Sequence, residues 1–188
     1  MTLKNRAHDI LIRRSGCAAV VALLWATGLV AQAADQPELL VNPGFEEIAS
    51  GQPAGWEASD PKRVAPDEHA GAGGSLCVKL DTRDEEGSLH VAQNILEPKQ
   101  GQKFVFRYRV CGDVGEGTKY QAYVGIWKGT EWLSGVATEM KPVPSSWEEN
   151  TIEFKLTQDA SRLMVVFAIK GDGGAVWFDD ASLRPVDE

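Results

Sequence analysis

Glu46 and Asp179 are the side chains whose type and place most invite joint chemistry. Glu46 lies in LLVNPGFEE, Leu39 to Glu47, and Asp179 in AVWFDDASL, Ala175 to Leu183. Each stretch reads as a β-strand carrying carboxylates. A fold that opens and closes on such strands brings its ends together. Two carboxylates drawn together repel and raise a pKa unless a cation lies between them, and a hard cation prefers oxygen ligands. Cation binding is therefore the expected chemistry, and catalysis is not. His69 and His90 are isolated and fit no metal-ligand spacing. Asp84-Glu85-Glu86 are adjacent acids in a loop, which cannot set an acid and a base apart across a glycosidic bond. No Ser-His-Asp or Cys-His arrangement stands out. No helix follows a Gly-rich run, as a phosphate loop requires. The chain is expected not to be an enzyme.

The elements that must position these groups are strands. Leu76, Val78 and Leu80 alternate with Cys77 and Lys79. Phe104, Phe106, Tyr108 and Val110 alternate with Val105, Arg107 and Arg109. Tyr120, Ala122, Val124 and Ile126 alternate with Gln121, Tyr123, Gly125 and Trp127. Ile152, Phe154 and Leu156 form another such face, as do Leu163, Val165, Phe167 and Ile169. Period-2 patterning marks half-buried antiparallel strands. The breaks are Gly-rich: Gly71 to Gly74, Gly112 to Gly117 and Gly171 to Gly174. About eight to ten short strands with such turns predict an all-β antiparallel sandwich or barrel, without repeats or a second domain.

Residues 1–33 read as an address. Lys4, Arg6, Arg13 and Arg14 precede an apolar run from Cys17 to Ala31, and Ala31-Gln32-Ala33 fits the small-x-small cleavage rule. That run is short of the roughly 20 residues that span a bilayer; the alternative is an uncleaved anchor. Cleavage leaves residues 34–188 as one domain, secreted or periplasmic, with no membrane attachment. The lost segment holds four basic residues and one acidic residue, so the net charge moves from −8 to −11. Nucleic acid is excluded as a partner, because phosphate neutralisation needs clustered Lys and Arg.

Two cysteines remain, Cys77 and Cys111. Export permits a disulfide between them, worth roughly 4 kcal/mol by chain entropy. The alternative is two separate thiols on strands that are not neighbours. Alternation places both on faces turned away from the core.

The order NPGFE, Gly55-Trp56, Gly74-Ser75-Leu76, Gln93 before Ile95, Lys99-Gln100-Gly101-Gln102 and VWFDDASL resembles the carbohydrate-binding modules of families 4, 9 and 22, within the galactose-binding-like jelly-roll class. The resemblance covers nearly all of residues 39 to 185. It implies a structural calcium near the two terminal segments, with carboxylates from Glu46 and Asp179 and a backbone carbonyl from Gly44. Asp179 and Asp180 are expected on opposite faces, with Asp179 the ligand. On the alternative, Glu46 and Asp179 cap turns by accepting backbone N–H bonds.

The resemblance also implies a polysaccharide or oligosaccharide partner. Sugars offer flat C–H faces and many hydroxyls, so a site needs exposed rings and planar polar groups. Trp56, Trp147 and Trp177 sit in packing positions. Trp127 shares the face opposite Val124 and Ile126 with Tyr123 and Gln121, and Trp132 falls in the following turn. Tyr123 and Trp127 are about 13 Å apart on a strand. Arg107 and Arg109 are expected on the same side, able to donate to hydroxyls or carboxylates. The expected function is a non-catalytic carbohydrate-binding module. The alternative is a structural or protein-interaction sandwich of the same fold, with these rings covered.

Overall fold

The alternating runs become two antiparallel sheets packed face to face. The computed structural model describes residues 36–68, 72, 76–83, 87–137, 139–171 and 173–186. The expected export signal, His69 and the Asp84-Glu85-Glu86 turn lie outside them. Among the described residues there are thirteen strands and no helix able to cross a membrane. They are β1 (Ile48–Ala49), β2 (Gln52–Pro53), β3 (Glu57–Ala58), β4 (Val64–Asp67), β5 (Cys77–Asp81), β6 (Gly87–Leu96) and β7 (Lys103–Val114). The remainder are β8 (Lys119–Lys128), β9 (Glu131–Ala137), β10 (Lys141–Pro142), β11 (Glu148–Lys155), β12 (Arg162–Gly171) and β13 (Gly174–Val186). The six-stranded sheet runs β10-β8-β12-β6-β3, with β9 also paired to β8; the five-stranded sheet runs β11-β7-β13-β5-β4. Successive long strands switch sheets: β5, β7, β11 and β13 in one, β6, β8 and β12 in the other. Gly112, expected in a turn, instead extends β7.

The inner faces are the predicted apolar ones. Phe167 on β12 stacks on Phe178 of β13 at 4.6 Å, meets Phe106 and Tyr108 of β7, and stacks on Trp56 at 5.8 Å. One ring thus ties both sheets and the N-terminal segment together. Gln93 is the buried polar residue on this side. Its Oε1 accepts the Val41 N–H at 2.7 Å and its Nε2 donates to the Val41 carbonyl at 2.9 Å. Both amide functions are satisfied, as burial demands.

The ends meet as expected, but Leu39–Glu47 does so through bends and turns rather than as the expected strand, with the first strand starting only at Ile48. Leu39 N–H bonds to the Leu183 carbonyl at 3.0 Å and Ala181 N–H to Pro43 at 2.9 Å. The Glu38 carboxylate takes Ser182 Oγ at 2.6 Å, Leu183 N–H at 2.8 Å and Arg184 Nε at 3.2 Å.

Cys77 and Cys111 are buried thiols with no disulfide between them, so the expected bridge is not formed. β13 runs between their strands, with Cys111 opposite Trp177. Two strand spacings come to about 9.6 Å, beyond the roughly 4.4–6.8 Å between Cα atoms that a disulfide tolerates. The thiols face away from the main core, as alternation predicts. They are covered there with Ala175, Trp177 and part of Trp147.

Candidate functional site: the outer face of the six-stranded sheet

Alternation on β8 turns Gln121, Tyr123, Gly125 and Trp127 outward, and the cross-strand register extends each position into a row. Trp132, Trp127, Arg162 and Leu96 form one row over β9, β8, β12 and β6. Gly135, Gly125, Met164 and Asn94 form the next. Tyr123 faces Val166, which faces Ala92. Gln121, Tyr123 and Trp127 therefore share one face, as the sequence suggested, and Trp132 joins them from β9.

Trp132 is not in a turn. The turn is Gly129-Thr130, with Gly129 at φ 58°, and β9 folds back so that Trp132 pairs with Trp127. A left-handed glycine at the first central position suits a two-residue hairpin. A β-bulge at Leu133 shifts the register by one, which places Trp132 on the outer face while Leu133 reaches the core.

The Trp132 ring lies flat on the sheet because two glycines make room for it. A Cβ on Gly125 would stand 2.6 Å from the ring, and one on Gly135 would stand 2.8 Å away. Trp127 meets Trp132 edge-on, with centroids 5.2 Å apart and planes at 84°. Arg162 lies over the other side of Trp127, its guanidinium carbon 4.9 Å from the ring centroid. Trp132 remains 47% exposed and Leu96 71% exposed. One indole face rests on glycine backbone and the other faces solvent.

Polar atoms beside these rings lack partners. Among the described residues, Trp127 Nε1, Arg162 Nε and Asn94 Oδ1 are buried with no hydrogen bond. They are two donors and one acceptor on neighbouring strands of one face. An unmet buried polar atom costs about 1–3 kcal/mol, and here the cost is concentrated beside an exposed indole. Tyr123, half-buried on the same face, has its phenol pKa raised by burial, so it stays a neutral donor and acceptor.

Arg107 does not belong to this face. It lies on β7 in the five-stranded sheet, opposite Ser182, and Arg109 lies on the same strand opposite Asp179. Alternation assigns a residue to a face of its own sheet, but β7 and β8 lie in different sheets, so equal parity puts them on opposite sides of the sandwich. The guanidinium that does reach the platform is Arg162. The outward parity of Arg162, Met164 and Asn94 was available from the apolar alternation of β12 and β6.

The clustered carboxylates lie on the opposite side of the molecule. Asp179 is fully buried. Its Oδ2 accepts the Ala72 N–H at 2.7 Å and its Oδ1 the Asp180 N–H at 2.7 Å. Arg109 Nη1 holds the Ala72 carbonyl at 3.1 Å. Glu46 Oε1 accepts the Leu76 N–H at 3.1 Å. Both carboxylates act on the Cys77 thiol, whose pKa rises to about 12, first through burial and then through Asp179, Asp67, Cys111 and Glu46. The ends thus bring Glu46 and Asp179 to the start of β5. Gly44 adjoins Glu46, whose Cγ would lie 3.8 Å from a Cβ placed there. Among the described residues no three His, Cys, Asp or Glu side chains converge on a metal position, so an ion here would need carbonyl oxygens as well. Asp180 does not point into the core. A bulge between Asp179 and Ser182 holds it at φ 47° and exposes it, 3.5 Å from Arg109 Nη1.

Solved structures with this architecture are numerous. A bacteriophage CBA120 tailspike protein 4 enzymatically active domain aligns at TM-score 0.64 and 13% identity, over 79% of this chain and 21% of that one. TmCBM61, solved with β-1,4-galactotriose, aligns at 0.58 and 23% identity, over 79% and 99%. The CBM22-1 xylan-binding domain from Paenibacillus barcinonensis Xyn10C aligns at 0.59 and 16%, over 81% and 97%. The fold is the jelly roll of carbohydrate-binding modules. A cyclase from Fischerella sp. TAU shares it as well, at 0.60 and 15% identity over 81% and 99%. No protein-family model matches the sequence, and no curated protein does.

Proposed function

We propose that this chain is an exported, non-catalytic carbohydrate-binding module that takes a polysaccharide or oligosaccharide on the outer face of its six-stranded sheet. The observation that carries this reading is the flat, half-exposed Trp132 indole beside three unpartnered polar atoms. A sugar ring supplies what both lack: a C–H face for the indole, and hydroxyls that donate and accept. The binding modules among the structural neighbours support the class, while the tailspike and cyclase neighbours keep the enzyme reading open. Against that reading, among the described residues the strand positions of this face carry one carboxylate, Glu57, and so lack the carboxylate pair of a glycosidase.

The test is a fluorescence titration of the protein against soluble glycans. Binding perturbs the Trp127–Trp132 pair. Trp132→Ala lowers affinity at least about tenfold, on the order of 1.4 kcal/mol, and leaves the melting temperature within roughly 3 °C. No response across a broad glycan panel would leave the structural or protein-interaction sandwich as the better reading.

The proposal includes a structural calcium at the start of β5, held by Glu46 and Asp179 with backbone carbonyls, that of Gly44 among them. Its support is the convergence of two carboxylates on one strand end. Turn capping by the same oxygens is the competing account, and thermal melting with and without a chelator separates the two.

A further inference from the structure

Several cations in this acidic chain are answered by acids. Lys79 faces Asp67 and Asp81, Arg83 grips Asp81, and Arg109 reaches Glu149 and Asp180. Lys128 pairs with Asp159 and Arg184 with Glu38. Arg162 differs. Unlike the exposed cations Arg107, Lys119 and Lys170, it is half-buried, in the middle of the Trp132–Trp127–Arg162–Leu96 row, where it stacks on Trp127 at 4.9 Å. Among the described residues it has no ion pair, and its Nε is buried without a partner. Stacking fixes the plane of a guanidinium and leaves its fork of donors along the edge. That fork matches a carboxylate in a bidentate pair. A hydroxyl could satisfy Nε, but it would leave the charge without a counterpart.

We propose that the glycan this platform recognises is acidic: a uronate-bearing polysaccharide or oligosaccharide. One carboxylate sits on Arg162 and an adjacent ring stacks on Trp132. Trp132 and Arg162 are two strand spacings apart, about 9.6 Å, so a ring on the indole leaves its neighbour's carboxylate within reach of the guanidinium. The inference rests on the carbohydrate-binding reading and adds the ligand's charge to it.

The experiment is calorimetric titration of the full protein with uronate oligosaccharides of three backbones, galacturonan, glucuronoxylan and alginate, each beside its methyl ester. The ester keeps the backbone and removes the charge. The expected result is that at least one uronate binds about tenfold or more tighter than its ester, the scale of one charge-assisted hydrogen bond. Arg162→Gln removes that preference, Arg162→Lys keeps part of it, and 0.5 M salt shrinks it. Thermal melts of both variants show that the fold is intact. If acid and ester bind equally, or if the preference survives Arg162→Gln, glycan binding stands and the acidic class is overturned. If nothing binds and Trp132→Ala changes nothing, the binding-module reading itself falls and this inference with it.

Discussion

Cys77 sits where a thiol is least able to react. It pairs with Asp67 across β4 and β5, and the Asp179 carboxylate also acts on it. Burial pushes its thiol up to about 12 and that of Cys111 to about 11, with the Asp179 carboxylate adding in each case. The reactive species is the thiolate, so native protein at pH 8 should resist alkylation. Denatured protein should label at both Cys77 and Cys111. Rapid native labelling of Cys77 would contradict the burial described. The sign of the pH effect follows from the same shifts. These acids have raised folded pKa values, so above the ordinary value of 9.0 the unfolded chain loses protons first. Stability then falls as pH rises from about 9 toward 12, measurable as a declining denaturant midpoint. Alternation correctly gave the outward face of both cysteines. It could not give their pairing, because strand order within a sheet is a non-local property that period-2 patterning does not encode.

The hairpin of β8 and β9 shows the same divide one level up. β8 was legible, since large apolar residues alternate along it without a break. β9 was not, because the bulge at Leu133 interrupts the period and glycine occupies one outward position. Trp132 therefore read as a turn residue when it is half of a cross-strand pair. The misplaced Arg107 has a related cause: parity is local, and the crossover from β7 to β8 changes sheets. What holds the platform flat is the Gly125–Gly135 pair, and this makes a prediction about geometry separate from chemistry. Gly125→Ala places a methyl 2.6 Å from the Trp132 ring and 3.0 Å from Trp127 Nε1. The ring must lift, since such a distance cannot be absorbed without movement. The near-UV circular dichroism of the indole pair should change and glycan affinity should fall about tenfold. The melting temperature should move by only a few degrees, because alanine in a strand recovers some backbone entropy. An unchanged spectrum with unchanged affinity would mean that the indole does not need its flat seat.

At the scale of the whole molecule, the two candidate sites lie on opposite outer faces, with the aromatic core around Phe167 between them. The platform uses β6, β8, β9 and β12; the carboxylates cluster around β5 and β13. This separation decides what the proposed calcium does. It can staple the first and last segments, which already meet through Leu39–Leu183 and Glu38–Ser182, but it does not touch the sugar. An ion bound only to the folded state at 100 times its Kd contributes about 2.7 kcal/mol. For a domain of this size that corresponds to roughly 5–11 °C in melting temperature. A chelator should therefore lower the melting temperature by about that much, and Asp179→Asn should abolish the response. At 25 °C, well below the transition, chelation should leave glycan affinity unchanged. A melting curve indifferent to chelator would assign Asp179 to capping alone, its two oxygens serving the Ala72 and Asp180 N–H groups. A glycan affinity that fell with chelation while the fold stayed intact would instead place the ion in the recognition site, against the separation of the two faces.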